Sequence, residues 1–112
     1  MHELALARDI LRKIEVEAAA RGFKKVSYGR VRIGETLLSD QTELEEMFIA
    51  VSKGTIAEGM NLDITISPVK AFCRNCKKEF RTGELRLDCP ECGLADVEIS
   101  QGKELIIERL EE

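Results

Sequence analysis

Four cysteines carry the most specific chemical signal in this sequence. They form two Cys-x-x-Cys pairs, Cys73-Arg74-Asn75-Cys76 and Cys89-Pro90-Glu91-Cys92, with twelve residues between the pairs. A Cys-x-x-Cys turn aims two thiolates at one point and lets nearby backbone N–H groups hydrogen-bond the sulfurs. Two such turns supply a closed tetrahedral site for a structural Zn(2+) ion, with Zn–S distances of about 2.3 Å. Gly93 follows the second pair and offers the permissive backbone such a turn needs. Asn75, which tolerates left-handed conformations, is expected to serve the first turn in the same way. Two other chemistries fit the residue types. Four cysteines also allow two disulfides, in about three pairings, given an oxidising compartment. A redox pair of the thioredoxin kind would account for one of the two motifs.

The second constellation lies at the N-terminus. His2 is the only histidine. At such a position the ordinary reading is a frayed terminal residue, but its chemistry allows more. A free α-amine, the deprotonated amide nitrogen of residue 2 and the imidazole of His2 can close fused chelate rings around one metal. The amide nitrogen of Glu3 completes a four-nitrogen plane. Square-planar nitrogen donation favours Ni(II) or Cu(II) over zinc. The bulky His2 favours retention of Met1, so the chelate would start there.

Length and composition bound the rest. The chain has 112 residues, enough for one ordinary domain or one small domain carrying an insertion. Its hydrophobic share of 44% supports a core built mainly from Leu, Ile, Val and Ala, because aromatics are 4% and Trp is absent. No apolar run approaches a membrane span, and charged residues within the first twelve positions leave no visible secretion signal. The expectation is a cytoplasmic protein whose thiols stay reduced, which favours metal over disulfides. A net charge of −4 speaks against broad phosphate-backbone binding. Residues 70 to 92 hold six cationic and four anionic side chains. Four thiolates on one zinc add a net −2, so this loop comes out near neutral.

The elements that must position these groups can be read in order. Leu4, Ala7, Leu11, Ile14 and Ala18, widened by Ile10, predict an amphipathic helix over residues 2–21 ending near Gly22. Val26, Tyr28, Val31 and Ile33 predict a strand over 24–34, with Gly29 marking a bulge. Asp40-x-x-Glu43 resembles a capping box, and Leu44, Met47, Phe48 and Val51 give the second helix one apolar face. Asn61 to Val69 alternates as a strand, ended by Pro68. Leu105-Ile106-Ile107 suggests a strand covered on both faces or paired on both sides, placed centrally between the two earlier strands. The strand–helix–strand segment is long enough for a right-handed crossover. The fold class expected is α+β: two helices on a small three-stranded mixed sheet, with an inserted zinc-ribbon-like four-cysteine domain. Residues 1–70 with 102–112 would form one domain and 71–101 the other, inserted between neighbouring strands.

Taken together, Met1-His2-Glu3 opening an amphipathic helix, the α/β pattern and the late Cys73-x-x-Cys76…Cys89-x-x-Cys92 resemble the HypA/HybF family, nickel metallochaperones of [NiFe]-hydrogenase maturation. The resemblance covers essentially the whole chain. It implies a nickel-binding domain of two helices and a three-stranded sheet, with nickel residues at His2 and Glu3, and zinc held by Cys73, Cys76, Cys89 and Cys92. Some family members carry a further histidine in the zinc loop; this chain has none. Asp40 is the remaining candidate, either as a helix N-cap or as an anionic group that binds nickel or orients His2. The partners implied are a HypB-type GTPase and the hydrogenase large subunit, with urease accessory proteins in some organisms, and neither nucleic acid nor membrane. The competing reading is a zinc-ribbon module for nucleic acid or protein interaction. The acidic balance and scattered aromatics weigh against an RNA or single-stranded DNA platform. A metal-dependent hydrolase needs an open metal position and a nearby base, and four thiolates close the zinc. The expected function is therefore a carrier and not an enzyme.

Overall fold

The computed structural model describes residues 3–81, 88–94 and 96–112. Among these, the chain runs α1 (Glu3–Ala20), β1 (Tyr28–Gly34), α2 (Gln41–Ser52), β2 (Asn61–Ser67), β3 (Lys70–Cys73), β4 (Lys78–Arg81), β5 (Val97–Gln101) and β6 (Leu105–Glu111). The strands form two three-stranded sheets, ordered β2-β1-β6 and β4-β3-β5. The expected α+β class holds: two helices lie on a mixed sheet, and the cysteines belong to a smaller sheet.

The helices form where apolar residues recur at helical spacing. Leu6, Ala7, Ile10, Leu11, Ile14 and Ala18 of α1 are buried, as are Leu44 and Phe48 of α2. They pack with Val31, Ile33 and Leu110 into one apolar cluster. The α2 helix starts where the sequence placed it. Asp40 is its N-cap, with extended backbone, and its Oδ1 accepts the Glu43 amide at 3.1 Å. Between β1 and β2 the pairing is parallel, from Tyr28 opposite Asn61 to Gly34 opposite Ser67, so the connection through α2 must cross from one end of the sheet to the other. Among the described residues, no helix is long and apolar enough to cross a membrane.

Four expectations are corrected. The central strand is β1, and β6 is an edge strand. Alternation explains why: Val31 and Ile33 are buried in β1, whereas Ile106 of β6 is 49% exposed and contributes nothing to the core. The apolar triplet is therefore not covered on both faces; Leu105 and Ile107 face the core and Ile106 faces away. The cysteine segment consequently does not leave and re-enter between neighbouring strands, because β2 and β6 lie at opposite edges with β1 between them. Finally, the bulge falls between Arg30 and Val31, opposite β6. Gly29 serves packing instead, since a Cβ there would come within 2.7 Å of the Met60 methyl and 3.2 Å of Leu110 Cδ1.

Both crossings to the second sheet converge on the end of β1. The Glu35 amide donates to Ser67 O at 2.8 Å, the Thr36 amide to Gly102 O at 3.1 Å, and the Gly34 amide to Glu104 O at 2.7 Å. Side chains reinforce these bonds: Thr36 Oγ1 donates to Gly102 O, Val69 N to Glu35 Oε1, and Gln101 Nε2 to Pro68 O. Gly34 and Gly102 permit this crossing. A Cβ on Gly34 would lie 2.2 Å from Gly102 O and 2.6 Å from Lys103 N, and Gly102 itself holds φ of 110°, a region open chiefly to glycine. The Glu104 carboxyl is held below the usual glutamate range by its own amide, then by the Gly102 N–H, the Ser67 hydroxyl and the Arg32 charge.

Gly34→Ala is therefore expected to destabilise the fold by about 1–3 kcal/mol in urea titration, because main chain and not a flexible side chain blocks the new methyl. The Glu104 bonds add stability that is present above the ordinary glutamate pKa of about 4.3 and lost as pH falls through the lower folded value. Replacing Glu104 with Gln should flatten that acid limb in a stability-versus-pH series, and an unchanged limb would exclude this contribution.

Candidate metal centre

The four cysteines arrive from two turns. Cys73 ends β3, and the following turn returns the chain to β4 with Lys77 N donating to Cys73 O at 2.7 Å. The second turn repeats the pattern, with Gly93 N donating to Cys89 O at 2.9 Å. In each, the residue just after the second cysteine takes a left-handed conformation: Gly93 at φ 75° and Lys77 at φ 58°. The permissive residue expected in the first turn, Asn75, is thus not the one used. The left-handed position falls one residue beyond Cys76, and a non-glycine side chain occupies it.

The turns bring all four sulfurs within 4.8 Å of one another. Cys73 and Cys92 lie 3.7 Å apart and Cys76 and Cys89 3.9 Å apart. A tetrahedron with arms of about 2.3 Å has edges of about 3.8 Å, so the spacing is that of a tetrahedral thiolate site. All four cysteines are free, and sulfurs this far apart are not joined as disulfides. Cys73 and Cys89 are buried, while Cys92 lies at the surface. Backbone donors aim at the cluster, as with the Cys76 amide toward Cys73 Sγ at 3.4 Å.

Electrostatics show why such a cluster needs a cation. The Cys76 thiol is pushed up to about 12, first by its hydrogen bond with Cys92, then by burial and its bonds to Cys89 and Cys73. Cys92 is lowered to about 7, chiefly by a backbone bond at Leu94 and by Cys76. One sulfur thus holds its proton so that another can ionise. A bound divalent cation ends this competition by stabilising all four thiolates. Around the site, Arg74 bonds Asp96 at 3.0 Å and Glu98 at 2.8 Å, tying the first turn to β5. Lys78 reaches Glu91 at 3.2 Å and links the two turns. Glu84 and Arg86, counted in the loop's charge balance, lie outside the described residues.

The N-terminal candidates are only partly in view. Met1 and His2 lie outside the described residues. Glu3 opens α1 and is 4% exposed. Its Oε1 accepts the Ser39 hydroxyl and, at 3.3 Å, the Ser39 amide. Its Oε2 is buried with no hydrogen-bond partner among the described residues. A buried carboxylate oxygen without a donor or cation is costly, so this corner is suited to a positive partner. Asp40, next in the chain after Ser39, caps α2 and is exposed. Nothing in the sequence links Ser39 to Glu3, because 36 positions separate them.

Two outcomes follow. Lys77→Gly should stabilise the cysteine sheet by about 1 kcal/mol, read as a higher unfolding midpoint, since it removes a left-handed side chain. Asp40→Ala should lose about 0.5–2 kcal/mol of stability, whereas Asp40→Asn should match the parent, because either side chain can accept the Glu43 amide.

The family model described as "Hydrogenase/urease nickel incorporation, metallochaperone, hypA" matches residues 1–112. A protein of Desulfitobacterium hafniense named Hydrogenase maturation factor HypA is 37% identical over 111 residues, covering 99% of this chain and 97% of that protein. One of the same name from Acidithiobacillus ferrooxidans is 34% identical, with 99% and 98% covered. The solution structure of the Ni metallochaperone HypA from Helicobacter pylori superposes with a TM-score of 0.74 at 26% identity, covering 99% of this chain and 97% of that one. With a family model matching residues 1–112, relatives more than 30% identical along almost the whole length and a solved structure of the same fold, this chain belongs to the HypA family.

Proposed function

We propose that this chain is a nickel metallochaperone of [NiFe]-hydrogenase maturation, with a resident zinc ion and a transported nickel ion. The observation that carries this reading is the whole-length family match, from residue 1 to residue 112. Zinc is the metal suited to Cys73, Cys76, Cys89 and Cys92, because four thiolates at tetrahedral spacing and no open position fit a redox-inert structural ion. Residues 71–101 would form the zinc domain. Residues 1–70 with 102–112 would form the nickel domain.

Nickel would be taken at Met1, His2 and Glu3, through the α-amine, the amide nitrogens and the imidazole, with Asp40 adding negative charge nearby. The buried Glu3 carboxylate supports a cation at this corner. A site at a chain end suits a carrier, since nickel must leave as readily as it arrives. No catalytic step is needed: the protein's work is to hold Ni(II) in a chosen geometry and release it to a partner. That partner would be a HypB-type GTPase or the hydrogenase large subunit in the cytoplasm. The matched family description extends to urease, which supports urease accessory proteins as a further set.

Titration of three proteins with Ni(II) tests the reading: chain beginning at Met1, the same chain with a Gly-Ser extension before Met1, and His2→Ala. The first should bind one nickel in a square-planar site. The other two should bind far more weakly while keeping full zinc. Equal affinity in all three would remove the N-terminus from nickel binding. Because amine, amide and imidazole must lose protons to bind, affinity should fall with pH, and the fall should steepen as pH drops below the ordinary histidine value of about 6.5. Separately, Cys73→Ala or Cys89→Ala should abolish zinc binding in elemental analysis and leave the helical circular-dichroism signal largely intact, since the helical core contains neither residue.

A further inference from the structure

We propose that Ser39 is a positioning residue of the nickel site: it locks the Glu3 carboxylate through Oε1 so that Oε2 is held free to set its negative charge beside the cargo cation, outside the four nitrogen donors. This rests on the nickel reading above and deepens it. Two independent observations meet here. The Ser39 hydroxyl and amide both donate to the same oxygen, Glu3 Oε1. The other oxygen, Oε2, is buried and lacks a donor among the described residues, on a side chain only 4% exposed.

The arrangement is uneconomical as pure structure. A carboxylate needed only to start a helix would sit in solvent in the first turn, where the helix dipole favours it. Burying it removes its hydration, and Ser39 restores partners to one oxygen alone. The two donors also fix the torsion of the carboxylate plane, since a hydroxyl and an amide from one residue approach Oε1 together. Oε2 is thereby held in place and left with its full affinity for a cation. Ser39 is suited to this because its neighbour Asp40 is pinned as the α2 N-cap, and because Glu35 and Thr36, a few residues earlier, are bonded to Ser67 and Gly102. The donor is therefore mounted on backbone secured at both ends.

The test uses the full chain beginning at Met1, loaded with zinc, and titrates Ni(II) into the parent, Ser39→Ala, Ser39→Thr, Glu3→Ala and the double variant. Zinc content and thermal midpoint are recorded beside each isotherm and each nickel absorption spectrum. Ser39→Ala should weaken nickel about 10–100-fold, the range seen when a partner that orients a ligand is removed. Ser39→Thr, which keeps the hydroxyl, should restore most of it at whatever midpoint it shows. In the Glu3→Ala background, Ser39→Ala should have no further effect, because Ser39 acts through Glu3. Undiminished affinity in Ser39→Ala, failure of Thr to restore it, or full additivity in the double variant would each overturn the proposal while the nickel reading stood. Absence of nickel binding by the parent would overturn both.

Discussion

Everything in the smaller sheet depends on four sulfurs meeting at one point. Among the described residues of the segment from Ala71 to Gln101, only Ala71, Cys73 and Cys89 are buried apolar residues, and none joins the main apolar cluster. Three short strands with so little covered surface do not hold together by burial. The ligand set supplies what the core cannot. Without a cation the four sulfurs share protons among themselves; a bound cation lets all four ionise and fixes both turns at once. That is why β3, β4 and β5 can remain short and half exposed, and why ion pairs such as Arg74 with Asp96 and Glu98 trim the site without bearing its stability.

The larger sheet has the opposite character. Its helices cover one face with a continuous apolar layer, and the metal is irrelevant to that core. What joins the two is backbone. The end of β1 donates to both chain crossings, and two glycines let those crossings come closer than any side chain allows. From this junction the chain runs through Leu37 and Leu38 to Ser39, which grips Glu3. A continuous bonded path therefore runs from the cysteine sheet to the buried carboxylate at the start of α1. It gives a physical basis for a change of shape at the cysteine turns to reach the start of α1, through a junction whose Glu104 bonds respond to acid.

Much of this was legible from residue order alone. Helical spacing located α1 and α2, because burying an apolar stripe is a local pattern that 3.6-residue periodicity exposes. Asp40-x-x-Glu43 marked the start of α2, since capping acts across three residues. The paired Cys-x-x-Cys motifs announced a tetrahedral thiolate site for the same reason: each turn is short, and its chemistry is contained within four positions. What the sequence could not rank was strand order. Leu105-Ile106-Ile107 suggested a central strand, yet an exposed Ile106 and an inward Leu105 and Ile107 on an edge are equally compatible with that triplet. Likewise Gly29 signalled an irregularity in β1, but whether it makes a bulge or admits Met60 depends on what packs above it.

By itself, then, the sequence determined what acts over a few residues: the two helices, the cap at Asp40 and the cysteine turns. Tertiary structure decided what joins distant positions. It placed β1 in the centre, passed the left-handed role from Asn75 to Lys77, brought Gly34 against Gly102, and set Ser39 on Glu3 from 36 positions away. The reason is one of range. Dihedral preference, capping and ligand spacing are written into neighbouring residues, whereas partners across a fold are chosen by how whole elements pack, and no single residue records that choice.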